Sequence, residues 1–302
     1  MNDHVLEKLS QIKAHPGIYR MIDKNGFVLY IGKSKNLRSR VRSYFRPQID
    51  SEKIQEMVSL IADIKLVYTC NHLEARLLEI KGIKSKKPIY NRQFNRTPAL
   101  AYLILDDKGI HLQEEGEFGP FINNANFKSR LDRLENLYPI RFKDGHYCFD
   151  YHVIANRLNE LEWHETRLVL EGIFQEEDKM ALFINALEEK MYQQSKQLLF
   201  EQASYYRDVI GLMEHLNHRL FVLNPLYKKQ LIYKEPGPEL TFYYLIYGGQ
   251  ILSKSESLDD LLAYLDQPAP ALLKINEANY EEVNLIYSHL RYAGDGEIVD
   301  IG

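Results

Sequence analysis

Tyr19 and Tyr30 stand in two short runs rich in Ile, Tyr, Phe and Val, Ile18 to Asp23 and Phe27 to Ile31, with Asn25-Gly26 between them. Such a pattern predicts a hairpin closed by a two-residue type I′ turn. With Lys24 facing Phe27, Tyr30 falls opposite Met21 and Gly32 opposite Tyr19, so both phenols share one face. Gly32 removes a side chain from that face and leaves room for a ligand between the hydroxyls. One tyrosine alone would mean little, because tyrosine is an ordinary strand former. The next stretch changes the reading. Lys33, Lys35, Arg38, Arg40, Arg42 and Arg46 give six cations in fourteen residues without one carboxylate, whereas a solvated face mixes signs. Ser34 is placed as an N-cap, and Leu37, Val41 and Phe45 recur every four residues as a core-facing stripe. Arg40 and Tyr44 share a neighbouring face. Lys33 follows Gly32 directly, and the helix N-terminus behind it adds a partial positive charge. Phenols beside unneutralised cations suit the handling of a phosphodiester.

A carboxylate enters further on. Glu79 emerges from the apolar run Leu77-Leu78-Glu79-Ile80, where an ionised group needs a partner. Arg76, three residues earlier on the same helix, is the ordinary partner. A cation is the alternative. One carboxylate with no second acid nearby in sequence points to a single hard ion held mostly by water and substrate oxygens, hence Mg²⁺ or Mn²⁺ rather than zinc. His72, on the same helix, has a local structural role.

The elements that must position these groups follow from the pattern. Residues 4–14 form a short amphipathic helix with Val5, Leu9 and Ile12 on one side. Ser51 to Leu60 is a second helix after the basic one, and Asp63 to Thr69 a third strand with Ile64, Leu66 and Tyr68 alternating. Asn71-His72-Leu73-Glu74 is a capping-box pattern opening a helix through Lys84. Two strands, helix, strand, helix is the order of a small α+β domain with one sheet.

Composition bounds the rest. The 302 residues, 45% of them hydrophobic, suffice for two or three domains. No apolar stretch has membrane-spanning length and no signal-peptide pattern opens the chain, which places it in the cytoplasm with no membrane partner. Cys70 and Cys148 lack the CxxC spacing of a structural zinc site and offer no disulfide framework. Residues 1–100 hold 19 Lys and Arg against 9 Asp and Glu, and the remainder 19 against 33. The basic footprint that phosphate binding needs is thus concentrated in the first third.

Gly17-Ile18-Tyr19 and Tyr30-Ile31-Gly32 spell GIY and YIG, GKSKNLRSRVRSYF follows, and NHLEARLLEIKGIKSKKPIYN ends on a Pro-x-Tyr-Asn. The combination resembles the GIY-YIG nuclease domain of the UvrC family of bacterial excision-repair nucleases. The resemblance implies that Glu79 is the metal ligand, that Tyr19 activates water with its pKa lowered by Lys33 and the metal, and that Tyr30 positions water or phosphate. It also implies that Arg40 stabilises charge on the phosphate while Tyr44 and Asn91 hold the geometry. Lys35, Arg38, Arg42 and Arg46 are expected to bind DNA.

Residues 99–177 resemble a UvrC middle region, with AYLIL a strand, FGPF a turn and FKSRLDRLENLYPIRF a helix. UvrC proteins usually carry four cysteines here for an iron-sulfur cluster, and only Cys148 stands in this window, so no cluster is expected. Residues 178–220 resemble the UVR motif, a helical hairpin that associates with UvrB. Residues 221–302 read as a small α/β domain, with strands about Gly248-Gly249 and helices over Leu258 to Leu265 and Tyr280 to Tyr292. The chain stops where UvrC would continue into an RNase H-type nuclease domain, as in the short members called Cho. The expected function is one metal-dependent incision 3′ of a lesion in double-stranded DNA bound by UvrB. The alternatives are a partner-independent GIY-YIG nuclease on branched or specific DNA and a non-catalytic adaptor for UvrB and DNA.

Overall fold

The computed structural model describes residues 3–46, 51–265, 267–292 and 296–299. They divide into two compact units, residues 1–97 with 227–302 and residues 98–226. The division differs from four consecutive segments at 98, 177 and 220: the first and last parts of the chain build one unit together.

In the first unit, α1 (Asp3–Gln11) precedes a hairpin of β1 (Gly17–Ile22) and β2 (Val28–Ser34), then α2 (Leu37–Ser43), α3 (Glu52–Leu60), β3 (Asp63–Tyr68) and α4 (His72–Lys86). The antiparallel sheet runs β2-β1-β3. Central β1 is buried along nearly its whole length. Tyr19 and Met21 face a core with Val5, Leu9, Leu37, Val41 and Met57, while α4 lies on β1 and β2. Gly82 lets it approach closely, since a Cβ there would stand 3.1 Å from Ile31.

The hairpin has the expected pairing, Tyr19 opposite Gly32 and Met21 opposite Tyr30, by a different route. Asp23 closes the loop through backbone bonds with Gly26 and Phe27, and its carboxylate accepts from the N–H groups of Asn25 and Phe27. The loop therefore holds Lys24, Asn25 and Gly26, the last at φ +86°. A register shift between Met21 and Ile22 offsets the additional loop residue, as in three-residue hairpins with a bulge. The basic helix starts later than Ser34. Its N-cap is Asn36, whose side chain accepts from the N–H of Ser39, while Ser34 Oγ bonds the backbone of Asn36.

The second unit holds the sheet β5-β4-β6, of β4 (Leu100–Asp106), β5 (Gly109–Gln113) and β6 (Phe118–Ile122). Then follow α5 (Ala125–Asp132), a 3₁₀ turn over Arg133–Leu137, the hairpin β7 (Arg141–Lys143) and β8 (His146–Cys148), α6 (Glu160–Gln175), α7 (Glu177–Lys196) and α8 (Phe200–Asn217). FGPF is a strand and not a turn. Proline is tolerated because β6 is an edge strand, where a missing N–H costs no ladder bond, and Phe118 to Phe121 are all buried. The helix read through FKSRLDRLENLYPIRF stops before Pro139, and Arg141 opens a strand. Near the exposed Cys148, Tyr138, Ile140 and Phe149 lie in the same core as Phe183 and Tyr206.

A π turn and α9 (Asn224–Lys228) carry the chain back to the first unit. There β9 (Leu231–Pro236), β10 (Thr241–Tyr247), β11 (Gln250–Ser255) and β12 (Glu297–Val299) form an antiparallel sheet of order β11-β10-β9-β12, with α10 (Leu258–Leu265) and α11 (Tyr280–Tyr292). The strand pair about Gly248-Gly249 and both helices are as expected, and β9 and β12 extend the sheet beyond that pair. α11 packs against α4.

Candidate active site

The register brings three phenols together. The Tyr19, Tyr30 and Tyr44 rings lie 5.8 to 6.1 Å apart. The Tyr19 and Tyr44 hydroxyls are 2.8 Å apart, and either oxygen can be the donor. Arg40 donates from Nε to the Tyr19 hydroxyl at 3.3 Å, and its guanidinium carbon stands 4.9 Å over the Tyr44 ring. Position Gly32 is occupied rather than open. A Cβ there would meet the Tyr19 hydroxyl at 2.4 Å and the Tyr30 ring at 2.8 Å, so glycine makes room for the phenols and not for a ligand.

Tyr19 is fully buried. Burial, with the neighbouring Tyr44 and Tyr30, pushes its pKa far above the ordinary phenol value, and the one cation acting against this is Arg40. Lys33, expected with the metal to lower that pKa, pairs its ammonium with Glu79. Burial likewise pushes Tyr30 up to about 12. Both phenols are neutral near pH 7.

Glu79 lies on α4 with 8% of its surface exposed. One carboxylate oxygen accepts from the backbone N–H of Lys33 at 3.1 Å, and the other stands 3.1 Å from the Lys33 ammonium. The partner expected from the helix itself, Arg76, points instead to His289 Nδ1 at 3.3 Å. Asn91 acts on backbone alone: its carboxamide accepts from the N–H of Ile31 at 2.9 Å and donates to the C=O of Ile31 at 2.8 Å. It thereby clamps the middle of the YIG strand.

The basic residues separate into groups. Arg38 donates to the C=O of Ile12 and Arg42 to the C=O of Leu9, so both tie α2 to the end of α1. Lys35 and Arg46 are exposed, as are Arg38 and Arg42 beyond these bonds. Sequence reasoning missed a further cluster. Lys87, Arg92 and Arg96 line a groove of about 530 Å³ beside Asn91, and the cation run from Lys81 to Arg96 could have signalled it.

Residues 15–92 match the family model for a UvrC-like GIY-YIG domain. Residues 15–92 thus have the character of a UvrC-like GIY-YIG domain. UvrABC system protein C of Francisella tularensis subsp. novicida (strain U112) is 30% identical over 237 residues, which cover 71% of this chain and 38% of that protein. The same protein from Francisella tularensis subsp. holarctica (strain LVS) is 29% identical over the same shares. The similarity thus reaches past the GIY-YIG domain, while the chain spans about 38% of the length of these relatives. Among solved structures, the GIY-YIG N-terminal endonuclease domain of UvrC from Thermotoga maritima, bound to magnesium as its catalytic divalent cation, is 34% identical. That match covers 30% of this chain and 99% of the other, with a TM-score of 0.28.

The GIY-YIG domain fits a divalent cation in its donor chemistry. Glu79 supplies hard carboxylate oxygens that already draw a positive group, the Lys33 ammonium. No cluster of three or more His, Cys, Asp or Glu suited to a metal occurs among the described residues. Glu79 would therefore hold such an ion with water and substrate oxygens.

Proposed function

We propose that the chain is a structure-directed DNA endonuclease of nucleotide excision repair, making a single incision 3′ of a lesion on DNA bound by UvrB. The observation that supports the reading is that one hairpin carries Tyr19 and Tyr30, which cluster with Tyr44 and Arg40, and also Lys33, which pairs with Glu79. Mg²⁺ or Mn²⁺ at Glu79 would supply Lewis-acid polarisation of the phosphate and stabilisation of the leaving 3′ oxygen. The chain's own groups do the rest. Tyr30, next to Tyr44 and only partly buried, orients water or phosphate. Tyr19 and Tyr44 form a hydrogen-bonded pair that carries Arg40, and Arg40 offsets phosphate charge in the transition state. Asn91 keeps Ile31, and with it Tyr30 and Gly32, in register. Water adds to phosphorus as the bond to the 3′ oxygen breaks, leaving a 5′ phosphate and a 3′ hydroxyl. Lys35, Arg38, Arg42 and Arg46, together with Lys87, Arg92 and Arg96, provide the exposed charge for the DNA backbone.

The UVR-like hairpin of α7 and α8 supplies the partner surface. Its inner face is buried through Leu187, Tyr206 and Ile210, yet at its tip Tyr192, Leu198 and Phe200 are 60%, 72% and 63% exposed. Met191, Tyr192, Phe200 and Ala203 line a groove there of about 370 Å³. An apolar tip of this kind suits a second helical hairpin such as that of UvrB. No helix among the described residues is long and apolar enough to cross a membrane, and we place the protein in the cytoplasm with its substrate.

The deciding experiment cleaves an end-labelled duplex carrying one bulky adduct, in Mg²⁺, with and without UvrA and UvrB. A single 3′ cut that needs both partners and falls about a thousandfold or more in Glu79→Ala is expected. Equal cutting without partners would indicate a partner-independent nuclease. No cutting with UvrB binding intact would leave an adaptor.

A further inference from the structure

On a free helix Arg76 would be the natural ion-pair partner of Glu79, three residues away. Its guanidinium is bonded elsewhere. Nη1 lies 3.3 Å from Nδ1 of His289 on α11, and among the described residues no ion pair joins Arg76 to Glu79. A guanidinium has donors only, so Nδ1 is the acceptor and the ring proton resides on Nε2. That nitrogen lies 2.9 Å from Oε2 of Glu235 on β9. His289 and Glu235 are 1% and 4% exposed, and the Tyr233 ring stands edge-on to the imidazole at 5.7 Å. A buried carboxylate therefore fixes an imidazole in one tautomer, and the imidazole receives the guanidinium. Burial works against the Arg76 charge while both Glu79 and Glu235 support it. The arginine is thus within the field of both carboxylates but bonded toward only one.

We infer that residues 227–302 restrain Arg76 so that Glu79 stays available to Lys33 and to a divalent cation. Glu235 orients His289, His289 retains the Arg76 guanidinium, and the pairing that helix geometry favours is prevented. These three are positioning residues for Glu79. Other contacts join the same elements independently. Lys84 donates to the C=O of Ala278 at 2.6 Å and pairs with Glu281 at 3.1 Å, so loss of His289 removes the restraint without separating α11 from α4. The inference rests on Glu79 as the cation-binding residue.

The test is Mn²⁺ binding to the full chain, without DNA, followed by electron paramagnetic resonance of the free ion, with circular dichroism as the check of folding. His289→Ala should weaken Mn²⁺ binding about tenfold as Arg76 turns to Glu79, and the same substitution in an Arg76→Ala background should change nothing. His289→Gln, whose amide oxygen accepts and whose amide nitrogen donates, should retain most of the affinity. If His289→Ala does not fold, His289→Asn, too short to span Arg76 and Glu235, gives the same comparison. A loss that persists without Arg76, or no loss in a folded variant, overturns the restraint. Glu79→Gln separates the two readings. Unchanged binding in that variant removes Glu79 as the cation site and the restraint with it, whereas abolished binding beside an intact His289→Ala removes the restraint alone.

Discussion

Both polar atoms of the Asn91 carboxamide are bonded to the backbone of Ile31 in a buried setting. Asn91→Ala leaves an N–H and a C=O of the YIG strand without partners, at a cost of about 2–4 kcal/mol. Urea denaturation should show that loss as a lower midpoint with an unchanged slope. His72 makes a pH prediction. Burial first, then Lys33, Arg76 and Lys35, hold its pKa at about 4, below its ordinary 6.5, so the folded ring is neutral at pH 7. Between those two values the unfolded chain binds the proton and the folded chain does not, and stability falls as pH falls through that window. His72→Gln should flatten this part of the acid limb by on the order of 1 kcal/mol, a figure reduced for screening of a half-exposed ring. Melting temperatures at pH 7 and pH 5 read the difference. A drop on acidification as large in the variant as in the wild type would count against it.

At the scale of elements, the end of β2 and the middle of α4 are joined by one carboxylate that takes both the backbone N–H and the ammonium of Lys33. Lys33→Met keeps the first bond and removes the second, leaving Glu79 charged and partly desolvated. Stability without metal should fall by about 1–3 kcal/mol. Mn²⁺ should then raise the melting temperature of the variant more than that of the wild type, because the vacated charge is supplied by the ion. An equal or smaller metal response in the variant would show that Lys33 and the cation do not share Glu79. The basic helix illustrates a second point. Its cations look uniform in sequence, yet Arg38 and Arg42 anchor α1 while Arg40 turns to the phenols. Helical phase alone does not separate them, since the distinction depends on where the carbonyls of Leu9 and Ile12 end up.

For the whole molecule, residues 98–226 form a compact unit with a core running from Leu103 through Phe183 to Leu216. Expressed alone, that fragment should unfold cooperatively, with the helical circular dichroism of α5 to α8 retained before the transition. A fragment that is non-cooperative or unfolded at 25 °C would show that it depends on the rest of the chain. Residues 1–97 share a compact unit with residues 227–302. α4 meets residues 227–302 through Tyr244, which accepts from Asn71 at 2.6 Å and donates to Glu74 at 3.0 Å, and through Lys254 on the same carboxylate at 2.5 Å.

The sequence by itself determined the pairing of Tyr19 with Gly32 and of Met21 with Tyr30, the capping of α4 by Asn71, the basic charge of the first third, the helical hairpin over residues 178–220, and the likeness of residues 15–92 to a UvrC-like GIY-YIG domain through GIY, YIG and Asn91. These are local matters of side-chain periodicity, turn chemistry and spacing, which short stretches of chain decide for themselves. Tertiary structure decided the partners. Glu79 turns to Lys33 rather than Arg76, Arg76 turns to a histidine more than two hundred residues away, the place left by Gly32 is filled by Tyr19, and FGPF becomes a strand because an edge was free. The physical reason is common to all of them. A buried charge or hydroxyl takes the partner that folding brings to it, and in a half-desolvated setting that choice outweighs the weak preferences of sequence neighbours.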